Sequence, residues 1–195
     1  MIGADSRALN PITNQIETDE EQKIFAFENP LISVVFAWAG IVKTRTPHFD
    51  FSLVENSKAI LAKVNCQIFA EDFNTRLRAR LSGLEVNTTG ECARGIFLYF
   101  WNGAPMGFEI RVFKNGSTWD SYVNGGGTPN GEIIILSGGV ESSEFDKPAS
   151  LNQAKGMMES YIQDCIDDPR NKEIGGKVRI GKFTLDGFEW MPALR

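Results

Sequence analysis

Apolar and polar positions alternate with a strand-like period in the first part of the chain. Residues 24–27 and 31–38 are rich in β-branched and aromatic side chains, and Glu28-Asn29-Pro30 between them is a typical turn sequence. The two runs therefore predict an antiparallel hairpin. The second run is apolar almost throughout, so we expect its strand to be covered on both faces.

Helical spacing follows. A capping box at residues 52–55 precedes one apolar stripe, formed by Leu53, Ser57, Ile60, Leu61 and Val64. A second stripe begins at either Ile68 or Phe69 and continues through Phe73, Leu77 and Leu81, with Gly83 as a possible C-cap. A third helix is predicted from a capping box at residues 150–153 to a point before Pro169, with a buried face of Leu151, Ala154, Met158, Ile162 and Cys165.

The remaining apolar runs have the period of strands. Residues 96–101, 108–113 and 119–123 are joined by turn sequences at 102–105 and 114–117, and residues 177–183 and 188–190 form a last hairpin around an Asp-Gly turn. The glycine-rich loop at 124–131 leads into a strand at 132–136 and has no lysine before Ser or Thr, so we interpret it as a hairpin turn rather than a nucleotide site.

This order of elements predicts an α+β fold, built as a four-layer αββα sandwich of two antiparallel sheets flanked by helices. The length of 195 residues suits one domain spanning 1–195. A content of 42% hydrophobic and 23% charged residues is typical of a globular protein.

Charge and length of the apolar runs exclude some partners. The net charge of −5 argues against a nucleic-acid surface, and the spacing of Arg76, Arg78 and Arg80 fits the solvated face of a helix. No apolar run reaches the roughly 18 residues of a membrane span, and the start does not resemble a signal peptide. We therefore expect a soluble, cytoplasmic protein with no membrane partner.

The cysteines and the single histidine do not suggest a metal site. Cys66, Cys92 and Cys165 are widely spaced, and His48 is the one histidine, whereas structural zinc requires four ligands. We expect three reduced thiols, two of them buried, and no metal or cofactor.

Six short motifs carry a family resemblance. They are Gly3-Ala4-Asp5-Ser6-Arg7-Ala8, Lys23-Ile24, Ala39-Gly40, Ser137-Gly138-Gly139, Gly175-Gly176 and Asp186-Gly187-Phe188. In this order, over nearly the whole chain, they resemble the proteasome β-subunit branch of the N-terminal-nucleophile (Ntn) hydrolases. The resemblance implies that fold, hydrolysis of a peptide or amide substrate, and assembly into a homo-oligomer. We expect the segments around Lys23, Ser137 and Gly175-Gly176 to be partners of Asp5.

The resemblance also implies roles for four residues. The family's nucleophile is an N-terminal Thr, Ser or Cys whose own α-amine is the base. Asp5 matches the acidic residue that orients the site, and Lys23 matches the lysine whose charge favours the neutral amine and the alkoxide. Gly40 matches the glycine whose N–H faces the oxyanion, and Ser137 the serine near the α-amine.

The chain departs from the family pattern in two ways. Asn171 and Ile174 stand where the family commonly has aspartate and serine. The family's nucleophile begins a strand that precedes the part matching residues 1–5, and this sequence lacks that strand. Four residues before Asp5 extend at most about 13 Å, and the thioether of Met1 is no nucleophile. We therefore expect this N-terminally truncated relative to be inactive as it stands.

Three hypotheses remain open. The chain is an amide hydrolase whose true start lies upstream of Met1, or a non-enzymatic binding or scaffold relative, or a protein that binds an anionic group near Lys23. For single residues the structural alternatives are a turn-capping carboxylate at Asp5, a solvent-exposed lysine at the start of a strand at Lys23, and a tight turn at Ser137.

Overall fold

The computed structural model describes residues 1–9, 15–40, 43–46, 49–82, 89–125 and 148–192. The elements run in this order: β1 (Ile2–Ala4), β2 (Ala8–Leu9), β3 (Ile16–Thr18), β4 (Ile24–Glu28), β5 (Ser33–Gly40), β6 (Lys43–Thr46), β7 (Phe49–Ser52), α1 (Leu53–Leu61), a short 3₁₀ turn (Cys66–Ile68), α2 (Phe69–Leu81), β8 (Gly90–Trp101), β9 (Ala104–Asn115), β10 (Thr118–Asn124), α3 (Leu151–Asp167), β11 (Arg179–Thr184) and β12 (Gly187–Trp190). The fold is α+β with mostly antiparallel sheets, as predicted.

Two compact units make up the chain. The first comprises Met1–Phe25 and Val140–Arg195, and the second Ala26–Gly139. The first unit contains a three-stranded sheet in the order β1-β11-β12 and the small β2-β3 pair. The second is built on a five-stranded sheet in the order β10-β9-β8-β5-β4. The expectation of a single domain stays a prediction.

The five-stranded sheet of the second unit is held by long hairpins. β8 pairs with β9 from Gly90↔Lys114 to Trp101↔Ala104, and β9 pairs with β10 as far as Thr118↔Asn115. The predicted turns at 102–105 and 114–117 were too long, because two residues suffice for each. Asn102 and Gly103 both have positive φ (49° and 79°), the geometry that matches the twist of the flanking strands.

The helices of the second unit pack with their predicted stripes. All five residues of the first stripe are buried, and Ser52 Oγ accepts from Glu55 N at 3.3 Å, as the capping box requires. In α2 the stripe begins at Phe69, and Ile68 is exposed. Gly83 lies outside the described residues, and Arg76, Arg78 and Arg80 are exposed as expected.

An aromatic cluster joins α2 to the sheet. Phe97 on β8 stacks against Phe36 and Phe108 at centroid distances of 5.3 and 4.9 Å, and Phe73 of α2 lies 4.6 Å from the Phe97 ring. Offset aromatic contacts of this kind add to the area that the rings bury. Val35, which points to the opposite face of β5, is fully buried as well, which confirms that this strand is covered on both faces.

In the first unit α3 packs against β1 and β11 of the three-stranded sheet. A Cβ at Gly3 would collide with Met158 and Ile162, so the glycine permits the close approach of helix and strand. Ser150 caps the helix through Gln153 N at 3.2 Å, and α3 ends before Pro169 as predicted.

The predicted buried face of α3 was partly wrong. Ile162 and Cys165 are buried, but Leu151 in the first turn is 46% exposed, and Ala154 and Met158 are only partly covered. Lys155 is buried instead, and its ammonium donates to Pro192 O at 2.5 Å and pairs with Glu159 at 3.3 Å. A long aliphatic stem can be covered while its charge finds partners, which the apolar pattern does not register.

Two of the cysteines, Cys92 and Cys165, are buried, as predicted for two of the three. The C-terminal hairpin is confirmed, with β11 and β12 joined at Thr184↔Gly187. Among the helices that the structure describes, none is long and apolar enough to span a membrane.

Two leucines of the second unit provide a matched test of this core. Leu77 of α2 is fully buried, whereas Leu31 is 79% exposed. We expect Leu77→Ala to lower the free energy of unfolding by about 3 kcal/mol, because it removes packed methyl groups and leaves a cavity. Leu31→Ala should change it by less than about 0.5 kcal/mol. Urea unfolding followed by circular dichroism measures both, and equal effects would contradict the assigned core.

Candidate functional site

Strand pairing places Asp5, the first residue of the candidate site. β1 runs antiparallel to β11 with Ile2 opposite Gly181 and Ala4 opposite Arg179. Asp5 follows directly after this strand, so its carboxylate is presented at a defined end of the three-stranded sheet.

The Asp5 carboxylate joins three segments that are far apart in sequence. Its Oδ1 accepts from Lys23 Nζ at 2.7 Å, and its Oδ2 accepts from Gly175 N at 3.0 Å and from Arg7 N at 3.2 Å. Only 12% of the Asp5 side chain and 19% of the Lys23 side chain are exposed, so the pair is largely shielded from water. Hydrogen bonds to an ionised group in such a setting are stronger than those between neutral groups.

These contacts bear on the structural alternatives given for Asp5 and Lys23. The segments around Lys23, Ser137 and Gly175-Gly176 were expected to be partners of Asp5; contacts from Lys23 and Gly175 are present, and Ser137 lies outside the described residues. It also caps the turn that follows it, through Arg7 N, so the structural alternative is correct at the same time. Lys23 is not the solvent-exposed lysine of its alternative reading.

Ser6 is fully buried beside this pair, and its polar atoms are all used. Its N–H donates to Gly175 O at 3.1 Å, and its carbonyl accepts from Glu21 N at 2.8 Å. Its hydroxyl donates to Asp19 O and accepts from Lys177 N at 2.7 Å. A buried serine with every group bonded ties the strand end to residues 19–21 and 175–177.

Close contacts surround both glycines of the Gly175-Gly176 motif. A Cβ on Gly175 would occupy the place of the Arg7 guanidinium. Gly176 has a φ of 75°, and a Cβ there would collide with Ser6 Oγ and Asp19 O. The glycine at position 176 of this motif therefore has a local steric cause in this chain.

Arg7 and Asp19 complete the surroundings of the pair, and the sequence reading assigned neither a role. Arg7 Nε donates to Asp19 Oδ1 at 2.8 Å, and its NH1 donates to the carbonyls of Lys172 and Ile174 at 3.2 and 3.3 Å. The hydrogen bond from Arg7 lowers the pKa of the Asp19 carboxyl and raises the pKa of the guanidinium. The two carbonyls lie more than 160 positions from Arg7 in the sequence, and no spacing rule links residues that far apart, so the sequence held no signal for these two contacts.

Residues 168–174 form consecutive turns that lead from α3 to Gly175. Arg170 N donates to Asp168 Oδ1 at 2.9 Å, and Ile174 N donates to Asn171 O at 3.1 Å. Asn171 caps the end of α3 through Cys165 O at 3.2 Å. The two residues that depart from the family pattern, Asn171 and Ile174, thus have structural contacts here.

Of the other two predicted site residues, the structure describes Gly40 and not Ser137. Gly40 ends β5 in the second unit, opposite Ala93, with a φ of 87°. A Cβ there would collide with the carbonyl of Cys92, so glycine is required at this position by the backbone alone. Ser137 lies outside the described residues, as do the predicted strand 132–136 and nearly all of the glycine-rich loop.

Metal ligands and reactive thiols are not prominent in this part of the structure. In the described ranges no group of three or more His, Cys, Asp or Glu side chains could hold a metal ion. Burial raises the pKa of the Cys165 thiol, which disfavours the reactive thiolate.

No protein-family model, curated protein or solved structure matches the chain. The relationship to the Ntn hydrolases therefore stays a prediction that depends on the motifs and on the contacts around Asp5.

Asp5→Asn tests how much the charged contact contributes. We expect it to lower the free energy of unfolding by about 2–4 kcal/mol, because the ammonium of Lys23 would be left largely buried without an anion. Asp186→Asn, at an exposed turn of the same unit, should cost less than about 0.5 kcal/mol. Urea unfolding distinguishes the two, and a loss no larger at Asp5 than at Asp186 would disprove the assigned contact.

Arg170→Gln tests the turn after α3 through its pH dependence. Hydrogen bonds from Arg170 lower the pKa of Asp168 to about 2. A depressed carboxyl pKa stabilises the fold above the unfolded value and loses this effect as the pH falls from about 4 to about 2. In Arg170→Gln the pKa of Asp168 should rise towards roughly 3.9, while that of Asp19, lowered by Arg7, should not move. Carbon-13 NMR titration of the aspartates measures both, and an unchanged Asp168 would refute the cause given.

Proposed function

We propose that this protein is a relative of the proteasome-type Ntn hydrolases, with the four-layer αββα arrangement of that class. In this proposal the Asp5–Lys23 pair is the charged part of an amide-hydrolysis site. The observation that supports it most is the 2.7 Å contact between Lys23 Nζ and Asp5 Oδ1, with Gly175 N on the other carboxylate oxygen. The motifs quoted for the resemblance predict this same grouping of three remote segments.

The chemistry of such a site needs a positive charge in a fixed position. An ammonium group near a free α-amine favours the neutral amine, which can then accept the proton of the nucleophile. Asp5 holds the Lys23 ammonium, and the two N–H donors on its second oxygen restrict the rotation of the carboxylate. An oxyanion donor at Gly40 and a proton-network hydroxyl at Ser137 remain predictions, as do the peptide or amide substrate and the homo-oligomer.

We further propose that the 195 residues do not hydrolyse amides by themselves. Ile2, Gly3 and Ala4 are paired along β11, so Met1 lies at the far end of β1 from Asp5, roughly 13 Å away at the rise of a strand. Its thioether has no proton to lose. An active form would require a nucleophile that is brought to Lys23 from another segment, such as an upstream strand beginning with Thr, Ser or Cys.

The charge balance of the site disfavours an anionic ligand as its main function. Lys23 is already paired with Asp5, and Lys177 and Arg179 are paired with Glu20 at 2.5 and 3.2 Å. An anion at Lys23 would have to compete with a carboxylate that is covalently part of the same unit. Amide hydrolysis, or a vestigial site of that type, is therefore the better supported class.

The test combines turnover and covalent labelling. The 195-residue protein is incubated with fluorogenic peptide amides and with an electrophilic Ntn-hydrolase inhibitor, and its intact mass is measured. We expect no turnover and no adduct. The DNA upstream of the Met1 codon should also be read in frame. If it encodes a strand-like segment that starts with Thr, Ser or Cys, the protein extended by that segment should be labelled at that residue.

Lys23→Met and Asp5→Asn make the outcome specific to the proposed site. Labelling of the extended protein should fall about 100-fold or more in Lys23→Met, the typical loss when a positioned acid–base or charged group is removed. Lys63→Met, at an exposed lysine of the second unit, should have no effect. An adduct on the 195-residue protein would disprove its inactivity, and labelling indifferent to Lys23 and Asp5 would disprove their role.

A further inference from the structure

The side chain of Arg7 contacts the segment that supplies a hydrogen bond to Asp5. We infer that Arg7, oriented by Asp19, is a positioning residue for the Asp5–Lys23 pair and acts on it through the backbone of Gly175. The inference depends on the proposed function for its purpose, because it concerns the geometry of that same site. Its physical content, a link from Arg7 to Lys23 through three contacts, can be tested without any substrate.

The first contact is between the guanidinium and the segment 172–175. Arg7 NH1 donates to Lys172 O at 3.2 Å and to Ile174 O at 3.3 Å. The guanidinium also covers Gly175, in the space that a side chain at this position would fill. Two carbonyls and one face of the peptide are thus held by one rigid group.

The second contact is between Gly175 and the site. Its N–H donates to Asp5 Oδ2 at 3.0 Å, and its carbonyl accepts from Ser6 N at 3.1 Å. Because both backbone groups of Gly175 are bonded to adjacent residues of one strand end, a shift of the segment would move the donor away from Asp5. The carboxylate would then lose one of the two N–H groups that orient it towards Lys23.

Asp19 determines how the guanidinium is turned. Its two oxygens accept from Arg7 Nε at 2.8 Å and from NH2 at 3.4 Å, a forked arrangement that leaves NH1 for the two carbonyls. Only a planar guanidinium can pair with a carboxylate and donate sideways from the same group. The ammonium of a lysine would carry the charge without this geometry.

An ordinary surface ion pair is the competing explanation. The side chains of Arg7 and Asp19 are 21% and 44% exposed, and ion pairs of this exposure generally contribute little to stability. The two explanations differ in what they predict for Lys23. If Arg7 and Asp19 form only a surface ion pair, removing Arg7 leaves the environment of Lys23 unchanged. If Arg7 positions Asp5, removing Arg7 makes Lys23 more accessible.

The experiment measures the acetylation rate of individual lysines by peptide mass spectrometry. The rate at Lys23 reports on the Asp5–Lys23 pair, and the rate at the exposed Lys63 corrects for the amount of reagent. Lys155 is buried by other contacts in the same unit, so its rate shows whether the whole unit has become less stable. In Arg7→Met we expect Lys23 to react about three- to tenfold faster, the effect of losing one hydrogen bond from the carboxylate. The rate at Lys155 should stay unchanged, and Asp5→Asn sets the upper limit for Lys23.

Three further variants define the result. In Arg7→Lys the acetylation rate of Lys23 should lie between those of the unchanged protein and Arg7→Met. Asp19→Asn is the milder change and should raise the rate less, and it replaces Arg7→Met in the test if that variant does not fold. Arg179→Met removes a different, partly exposed cation of the same unit, paired with Glu20, and should leave Lys23 unaffected. Three outcomes would each overturn the inference. They are a Lys23 rate in Arg7→Lys equal to that of the unchanged protein, a faster rate at Lys155 as well as at Lys23, and an unchanged Lys23 rate in Arg7→Met when Asp5→Asn raises it.

The positioning role of Arg7 and the hydrolase proposal can fail separately. Acetylation of Lys23 reports only the contacts from Arg7 through Gly175 to Asp5. The inhibitor experiment reports whether Lys23 and Asp5 serve a nucleophile. A faster Lys23 in Arg7→Met therefore supports the positioning role even where no nucleophile is ever labelled.

Discussion

The first unit depends on one carboxylate, that of Asp5. A charged group this little exposed is costly unless its partners are in place, and Asp5 has an ammonium and two backbone N–H groups around it. Those partners come from the strand end itself, from the residue before β4 and from the segment after α3. One charge thus joins three remote parts of the chain, and Gly176 lies where their meeting leaves no room for a side chain.

The two units are stabilised in different ways. In the second unit the packing of Phe36, Phe97 and Phe108 with the rings of α2 supplies the main apolar core. Around Asp5 in the first unit, the local structure is held chiefly by hydrogen bonds to backbone groups, through Ser6 and Arg7. Apolar packing tolerates small shifts, whereas a hydrogen bond weakens quickly with distance and angle, so a site that needs defined geometry benefits from the second kind of support.

The parts of the fold that sequence reading predicted correctly are those with a strong local cause. The stripes of α1 and α2 and the capping serines follow from helical spacing, and the hairpins follow from turn residues between β-rich runs. The buried face of α3 was predicted less well, because periodicity shows which residues share a face but not where along the helix the sheet begins. Lys155 is buried and Leu151 is exposed for that reason.

The sequence by itself determined the type of the longer elements and, through its motifs, predicted the partnership of Asp5 with Lys23 and with the Gly175 segment, whereas the β2-β3 pair, the β6-β7 hairpin and the early starts of β8 and β9 were not predicted. Only the tertiary structure decided how that partnership is made: that Gly175 N–H faces the carboxylate, that Ser6 is fully enclosed, and that Arg7 spans from Asp19 to the carbonyls of the same segment. The physical reason is that periodicity and turn chemistry act over a few residues. Contacts across 170 positions arise only when strand pairing has brought the two ends of the unit together.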